Sequence, residues 1–336
     1  MRRGRTCSEN TRVLQVLLIT FPFFALVLAG YLAARRGLLR LDAIPGLNAF
    51  VLYFALPCLL YRFGSSTPTA QLLDASVAFT YMVCGLVIVG FVMAVSINRR
   101  IGWNDAAFGA LVAVFPNTGF MGVPLLVALL GARAAGPAIV TIVVDMLVTT
   151  SLCVALSRLD GAGKHGFAVA GRNALRGVLV NPMPWAIVLG AVASATHLEL
   201  PQPVEQTVNL LADSASPVAL FTIGAVLARS QMVAQAAGAP ALPLRDYVPV
   251  AVIKLVLHPI LVLLVGVGAI QLGVPLDRFA LTVIVLVAAL PSASNVSLLA
   301  ERFGANTGRI ARIILVSTAA AFLSFSAAVA LLVDRP

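Results

Sequence analysis

Three ionisable residues are set deep in apolar sequence. Asp145 lies within Ile142-Val143-Val144-Asp145-Met146-Leu147-Val148, and Lys254 and His258 stand four residues apart, just ahead of Pro259. That spacing puts Lys254 and His258 on one helical face. In hydrocarbon a lone carboxylate has to be protonated, paired or wetted, and such residues are functional candidates by default. Asp145 is therefore a candidate proton carrier. Lys254 could attract an anion or pair with Asp145, and His258 belongs to the residue type that titrates near neutral pH. Plainer readings stand beside these. Asp145 could brace the broken helix of segment 4, Lys254 could snorkel to the membrane interface because Asp246 is only about two turns away, and His258 could simply be packed.

A second set of residues is defined by backbone chemistry. Pro116-Asn117-Thr118-Gly119-Phe120-Met121-Gly122-Val123-Pro124 interrupts an otherwise apolar run, and Pro291-Ser292-Ala293-Ser294-Asn295 interrupts another. Pro116, Pro124 and Pro291 remove backbone donors, while Gly119 and Gly122 weaken a helix. Each break leaves amide and carbonyl groups that lipid cannot satisfy, which is tolerable only where protein, ligand or water supplies partners. Asn117 and Asn295 each carry two donors and an acceptor, suited both to freed backbone and to a carboxylate. Thr118, Ser292 and Ser294 add hydroxyls that could reach a ligand or bond the preceding turn.

The elements that must position these groups follow from composition. Of 336 residues, 60% are hydrophobic and 11% charged, with mean hydropathy +1.00. Soluble domains are about 45–50% apolar and about 25% charged, so much of this surface must face lipid. Ten apolar segments are each about long enough to cross a bilayer: 13–34, 44–63, 76–97, 106–130, 135–157, 178–197, 206–228, 247–271, 279–300 and 309–333. The first is too long for a signal-peptide core. The net charge of +10 lies almost entirely between segments, not in a basic stripe, which excludes nucleic acid as a partner. The four cysteines show no metal or disulfide spacing, so no metal site is expected.

Five segments precede the polar stretch 158–177 and five follow it, so a repeat of five helices would be inverted. Ala55-Leu56-Pro57 in segment 2 matches Ala215-Ser216-Pro217 in segment 7, and the breaks in segments 4 and 9 follow them by 59 and 74 residues. The expected fold is all-α and integral to the membrane, with residues 1–157 and 178–336 as two inverted repeats joined by a cytoplasmic linker, 158–177. Loops on one side hold fourteen Lys and Arg against eight on the other, four of those in the N-terminal tail. The positive-inside rule then puts both termini on the non-cytoplasmic side.

The stretch from Pro116 to Leu125 resembles the signature of the auxin efflux carrier family. Ala289 to Asn295, followed by Leu299-Ala300-Glu301-Arg302-Phe303-Gly304, is similar to the C-terminal signature of that family, although its Ser-Ala-Ser makes the match looser. Asn181-Pro182, and Ser216 to Phe221 with Gly224, fit the bacterial, malonate-carrier-like branch. The resemblance implies a fold like that of bile-acid symporters and sodium/proton antiporters. Segments 1, 2, 6 and 7 would form a scaffold that dimerises with a second copy. Segments 3–5 and 8–10 would form a transport domain whose helices 4 and 9 cross at the substrate, with Asn117 and Asn295 binding there.

The function expected is secondary transport of a small organic anion, malonate or a related carboxylate, across the inner membrane, with no cofactor and with coupling to protons or sodium open. A channel or a membrane sensor on the same fold is the rival. No P-loop is present for ATP, and neither HExxH nor a Ser-His or paired-Asp constellation supports an enzyme.

Overall fold

The computed structural model describes residues 3–72, 74–158, 182–236 and 242–333. The linker expected over 158–177 therefore lies outside the described residues apart from Arg158, as do Asn181 and the start of segment 6. All ten apolar segments are helical, and no strand forms among the described residues beyond one isolated bridge. We label the helices α1 (Arg3–Arg35), α2 (Ile44–Ser66), α3 (Ala75–Ser96), α4 (Trp103–Val114), α5 (Thr118–Leu130), α6 (Ala132–Ser157), α7 (Pro182–Thr196), α8 (Gln202–Ala236), α9 (Val248–Gln271), α10 (Arg278–Ala289), α11 (Val296–Arg302) and α12 (Thr307–Leu332).

Seven of these are long and apolar enough to cross a membrane, and three apolar helices are shorter: α5, α7 and α10. Segment 4 is divided into α4 and α5 around Pro116, and segment 9 into α10 and α11 around Pro291; a proline ring disfavours helical geometry in the residue before it, and here the chain turns extended there. Phe115 and Leu290 are both extended, with ψ of 103° and 156°. The described part of segment 6 begins only at Pro182.

Local chemistry sets the ends of the helices. Asp74 caps α3 by accepting from the amides of Ser76 and Val77, and Asn306 caps α12 by accepting from Arg309. Such caps satisfy amides that have no partner inside the helix. Gly131 after α5 and Gly304 after α11 adopt φ of 85° and 69°, a region that favours glycine, and each turns the chain into the next helix.

The helix contacts include two groups, which α12 joins by packing on α1 and α8 as well as on α10. α1 lies on α8, and α2 lies on α7 and α8. The approach is close: a Cβ at Gly30 would collide with the Phe221 carbonyl oxygen, and one at Gly224 would collide with that of Val27. Gly190 meets the Tyr61 carbonyl and Gly64 in the same manner on the α2–α7 face. Small residues allow backbones to approach where burial in lipid gives no hydrophobic drive. The second group packs α3 on α4, α6 and α9, and α10 on α6, α9 and α12. α4 and α10 are buried almost throughout, whereas Phe21, Leu28, Tyr53, Phe54, Trp185 and Leu189 on α1, α2 and α7 are exposed, as lipid-facing residues are. α5 touches α1, α2 and α8, which sets the break in segment 4 at the seam between the groups.

Candidate functional site

The two breaks cross. Their linkers pair as an isolated antiparallel bridge between Pro116 and Ser292. The Asn117 amide donates to the Pro291 carbonyl at 2.8 Å, and the Ala293 amide donates to the Phe115 carbonyl at 2.9 Å. Backbone groups that neither helix can satisfy are therefore satisfied by the opposite break, so the second interruption answers the cost of the first. Gly122 permits the contact, since a Cβ there would come within 2.5 Å of the Leu290 side chain. Pro124 offers no amide hydrogen to the Phe120 carbonyl, and Ser216 Oγ of α8 donates to that oxygen instead, at 3.3 Å. Gly119 faces Leu56 of α2 across open van der Waals distance.

Around this bridge, polar side chains lack protein partners. Asn117 and Asn295 occupy the N-cap positions of α5 and α11, yet neither side chain caps its helix. The backbone bonds of the bridge, not N-cap bonds from these asparagines, satisfy the amides of Asn117 and Ala293. Thr118 Oγ1, Ser292 Oγ and Asn295 Oδ1 are buried with no hydrogen-bond partner, so the two hydroxyls do not bond the preceding turn either. Ser294 is half-buried beside them. Unpaired buried polar groups are costly and rare in native proteins. Three of them stand on the two crossing linkers.

The ionisable residues form a separate cluster behind the crossing. Asp145 is fully buried and accepts from Tyr81 of α3 and from Thr149, both at 3.2 Å. It does not brace the broken segment 4. Lys254 is also fully buried, so it does not snorkel; its Nζ donates to the Ala288 carbonyl at 2.8 Å and lies 3.3 Å from His258 Nδ1. None of the ion pairs among the described residues joins Lys254 to Asp145. The Tyr81 and His258 rings, 5.8 Å apart, bring the two halves of the cluster together. Asp145, Lys254 and Thr118 all sit in single π-turns, over Asp145–Thr149, Ile253–Leu257 and Thr118–Gly122. Such wide turns are frequent at functional sites because they re-aim side chains and loosen the backbone ladder. Thr150 Oγ1 patches one of them by donating to the Asp145 carbonyl.

Residues 15–329 match the family model described as membrane transport protein. The chain belongs to the auxin efflux carrier family. It is 30% identical over 302 residues to the "Putative malonate transporter" of Rhizobium meliloti (strain 1021), covering 89% of this chain and 90% of that protein. It is 27% identical to the "Uncharacterized transporter YfdV" of Escherichia coli (strain K12), over 85% of this chain and 88% of the relative. The "Auxin efflux carrier component 8" of Arabidopsis thaliana is 22% identical over 64% of this chain and 72% of its own length. This family member is accordingly a multi-pass membrane transporter and not an enzyme.

Four residues of this carrier-family chain that sequence reading passes over are brought into play by the structure. Tyr81, Thr149 and Ser317 each carry one hydroxyl in long apolar helices and have no motif around them. Arg309 reads as a loop cation in the sequence but is buried at the start of α12, where it donates to the Asp246 carbonyl at 2.7 Å and the Asp105 carbonyl at 2.8 Å. It thereby clasps the starts of α4, α9 and α12. No group of three or more potential metal ligands occurs among the described residues.

Proposed function

We propose that this transporter is a secondary carrier of a small carboxylate, malonate or a close relative, bound where the linkers of segments 4 and 9 cross. The observation that carries the reading is the set of unpaired polar atoms on those linkers, the Thr118 and Ser292 hydroxyls and Asn295 Oδ1, beside the buried Asn117 side chain that does not cap its helix. Amide and hydroxyl donors suit carboxylate oxygens. The N-terminal end of the thirteen-residue helix α5 adds a favourable partial charge for an anion. The name borne by the Rhizobium relative agrees with that chemistry.

The architecture that fits is ten membrane-spanning segments as two inverted repeats, 1–157 and 178–336, around a cytoplasmic linker, 158–177. Three correspondences support it. Both halves contain a proline-broken helix, both breaks are followed by a left-handed glycine turn, and the α1–α8 contact has a counterpart in α7–α2. In this reading α1, α2, α7 and α8 form a scaffold, which dimerises through its lipid-facing surface, and the remaining helices move against it. Alternating access then arises as the crossing is carried past the seam at α8, where Ser216 touches Phe120. The protein lies in the inner membrane with its termini outside. Asp145, with Lys254 and His258, handles a coupling proton; sodium coupling would make that cluster structural instead.

Binding by the purified protein tests the site. A ligand that binds only the folded state raises its melting temperature. Malonate should stabilise the wild type in detergent and leave Asn117→Ala unaffected, provided the variant expresses and melts normally without ligand. Equal stabilisation of both proteins would remove the crossing as the substrate site.

A further inference from the structure

Breaking a helix orphans a donor and an acceptor together. In an unbroken segment 9 the Ser292 amide would bond the Ala288 carbonyl, four residues earlier. Here the two ends of that absent bond are taken by side chains of different helices. Lys254 Nζ of α9 donates to the Ala288 carbonyl at 2.8 Å, and the Ser292 amide donates to Ser317 Oγ of α12 at 3.2 Å. Ser317 spends its own hydrogen on the Ile314 carbonyl at 3.0 Å, which leaves its oxygen free to accept. All four residues are buried. His258 Nδ1, one turn along α9, holds the lysine nitrogen from the other side.

We propose that Lys254 and Ser317 are positioning residues that hold the break in segment 9 open and so present Ser292 and Asn295 to the substrate. The inference rests on the crossing being the substrate site. It assigns Lys254 a task different from anion attraction or ion pairing: the lysine is a hydrogen-bond donor to a helix end. A lysine at the carbonyl end of α10 is also on the favourable side of the helix dipole. In the break of segment 4, Pro291 and Ala293 satisfy Asn117 and Phe115 through the backbone, and Ser216 Oγ covers the Phe120 carbonyl. The geometry of the whole crossing therefore depends on what holds segment 9. With Lys254 and Ser317 removed, the Ala288 carbonyl and Ser292 amide are left unpaired in a buried site, and the linker has to shift to find them partners, pulling Pro291 away from Asn117.

A neutral donor separates this role from a role of charge. In a protein whose native cysteines are replaced, Ser294→Cys reports water access to the crossing through its rate of reaction with a hydrophilic maleimide, in detergent and without substrate. Lys254→Met removes the donor at similar length, and Lys254→Gln keeps a donor without the charge. Leaving a buried carbonyl unpaired is unfavourable, so Lys254→Met should slow labelling on the order of tenfold. Lys254→Gln should label within a few-fold of the parent. Ser317→Ala should slow labelling and Ser317→Thr should restore it, a pair that carries the test even if Lys254→Met fails to fold. Slow labelling in Gln as well as Met would mean that charge matters and would overturn the inference, as would unchanged labelling in Met. A parent protein whose introduced thiol does not react at all would sink the crossing as a substrate site together with the inference.

Discussion

Asp145 is held by two hydroxyls, Tyr81 and Thr149, that come from helix faces without any recognisable motif. A carboxylate placed this way can accept hydrogen bonds when ionised, and it can itself donate one when protonated. If it is the proton carrier of a coupled cycle, Asp145→Asn should transport substrate down its gradient but lose the response to an imposed pH gradient. Flux that still follows the pH gradient in that variant would assign coupling elsewhere. Tyr81→Phe should keep the response in weaker form, since it removes one hydrogen bond worth about 1 kcal/mol. Sequence showed the ionisable residues well and their partners poorly. Asp145, Lys254 and His258 are legible because a charge in an apolar run is improbable by composition. Tyr81, Thr149 and Ser317 are not, because hydroxyls scattered along apolar helices usually satisfy themselves on their own backbone, as Thr141, Ser157 and Thr222 do here.

At the scale of the elements, the same few backbone rules govern the breaks and the close contacts. Proline at 116 and at 291 made both interruptions readable, and glycine at 119 and 122 made the first one plain. What could not be read was that the linkers pair with one another, since the Pro116–Ser292 bridge joins residues far apart in the chain. Glycine also serves the α1–α8 crossing, where Gly224 backs onto the Val27 carbonyl and no flexible side chain can give way. Gly224→Ala should therefore lower thermal stability, by roughly 1–3 kcal/mol for an overpacked contact. Gly90→Ala in α3, where nothing lies within 4 Å of the added methyl, should be neutral or slightly stabilising. Melting of the two variants in detergent, side by side, checks the contrast. Comparable losses in both would mean that the α1–α8 approach is not as tight as described. Arg309 belongs at this scale too, as a buried cation that spends its donors on helix starts and so ties α4, α9 and α12 at one end.

For the molecule as a whole, apolar length alone located every helical segment, and family membership follows from a match over nearly the full chain. Length alone could not show that two segments would each be split into half-helices, nor that α8 would run 35 residues, from Gln202 to Ala236, past the end expected at 228. The half-helices α4 and α10 are buried almost throughout, whereas α1, α2 and α7 carry exposed apolar side chains. Movement of one group of helices against the other would separate a carrier from a channel. Counterflow of radiolabelled malonate in proteoliposomes reads that distinction directly. The account predicts saturable uptake of label driven by unlabelled malonate inside, abolished in Asn117→Ala protein inserted at the same density. Flux that does not saturate and is not stimulated from the opposite side, or counterflow that survives Asn117→Ala unchanged, would contradict it.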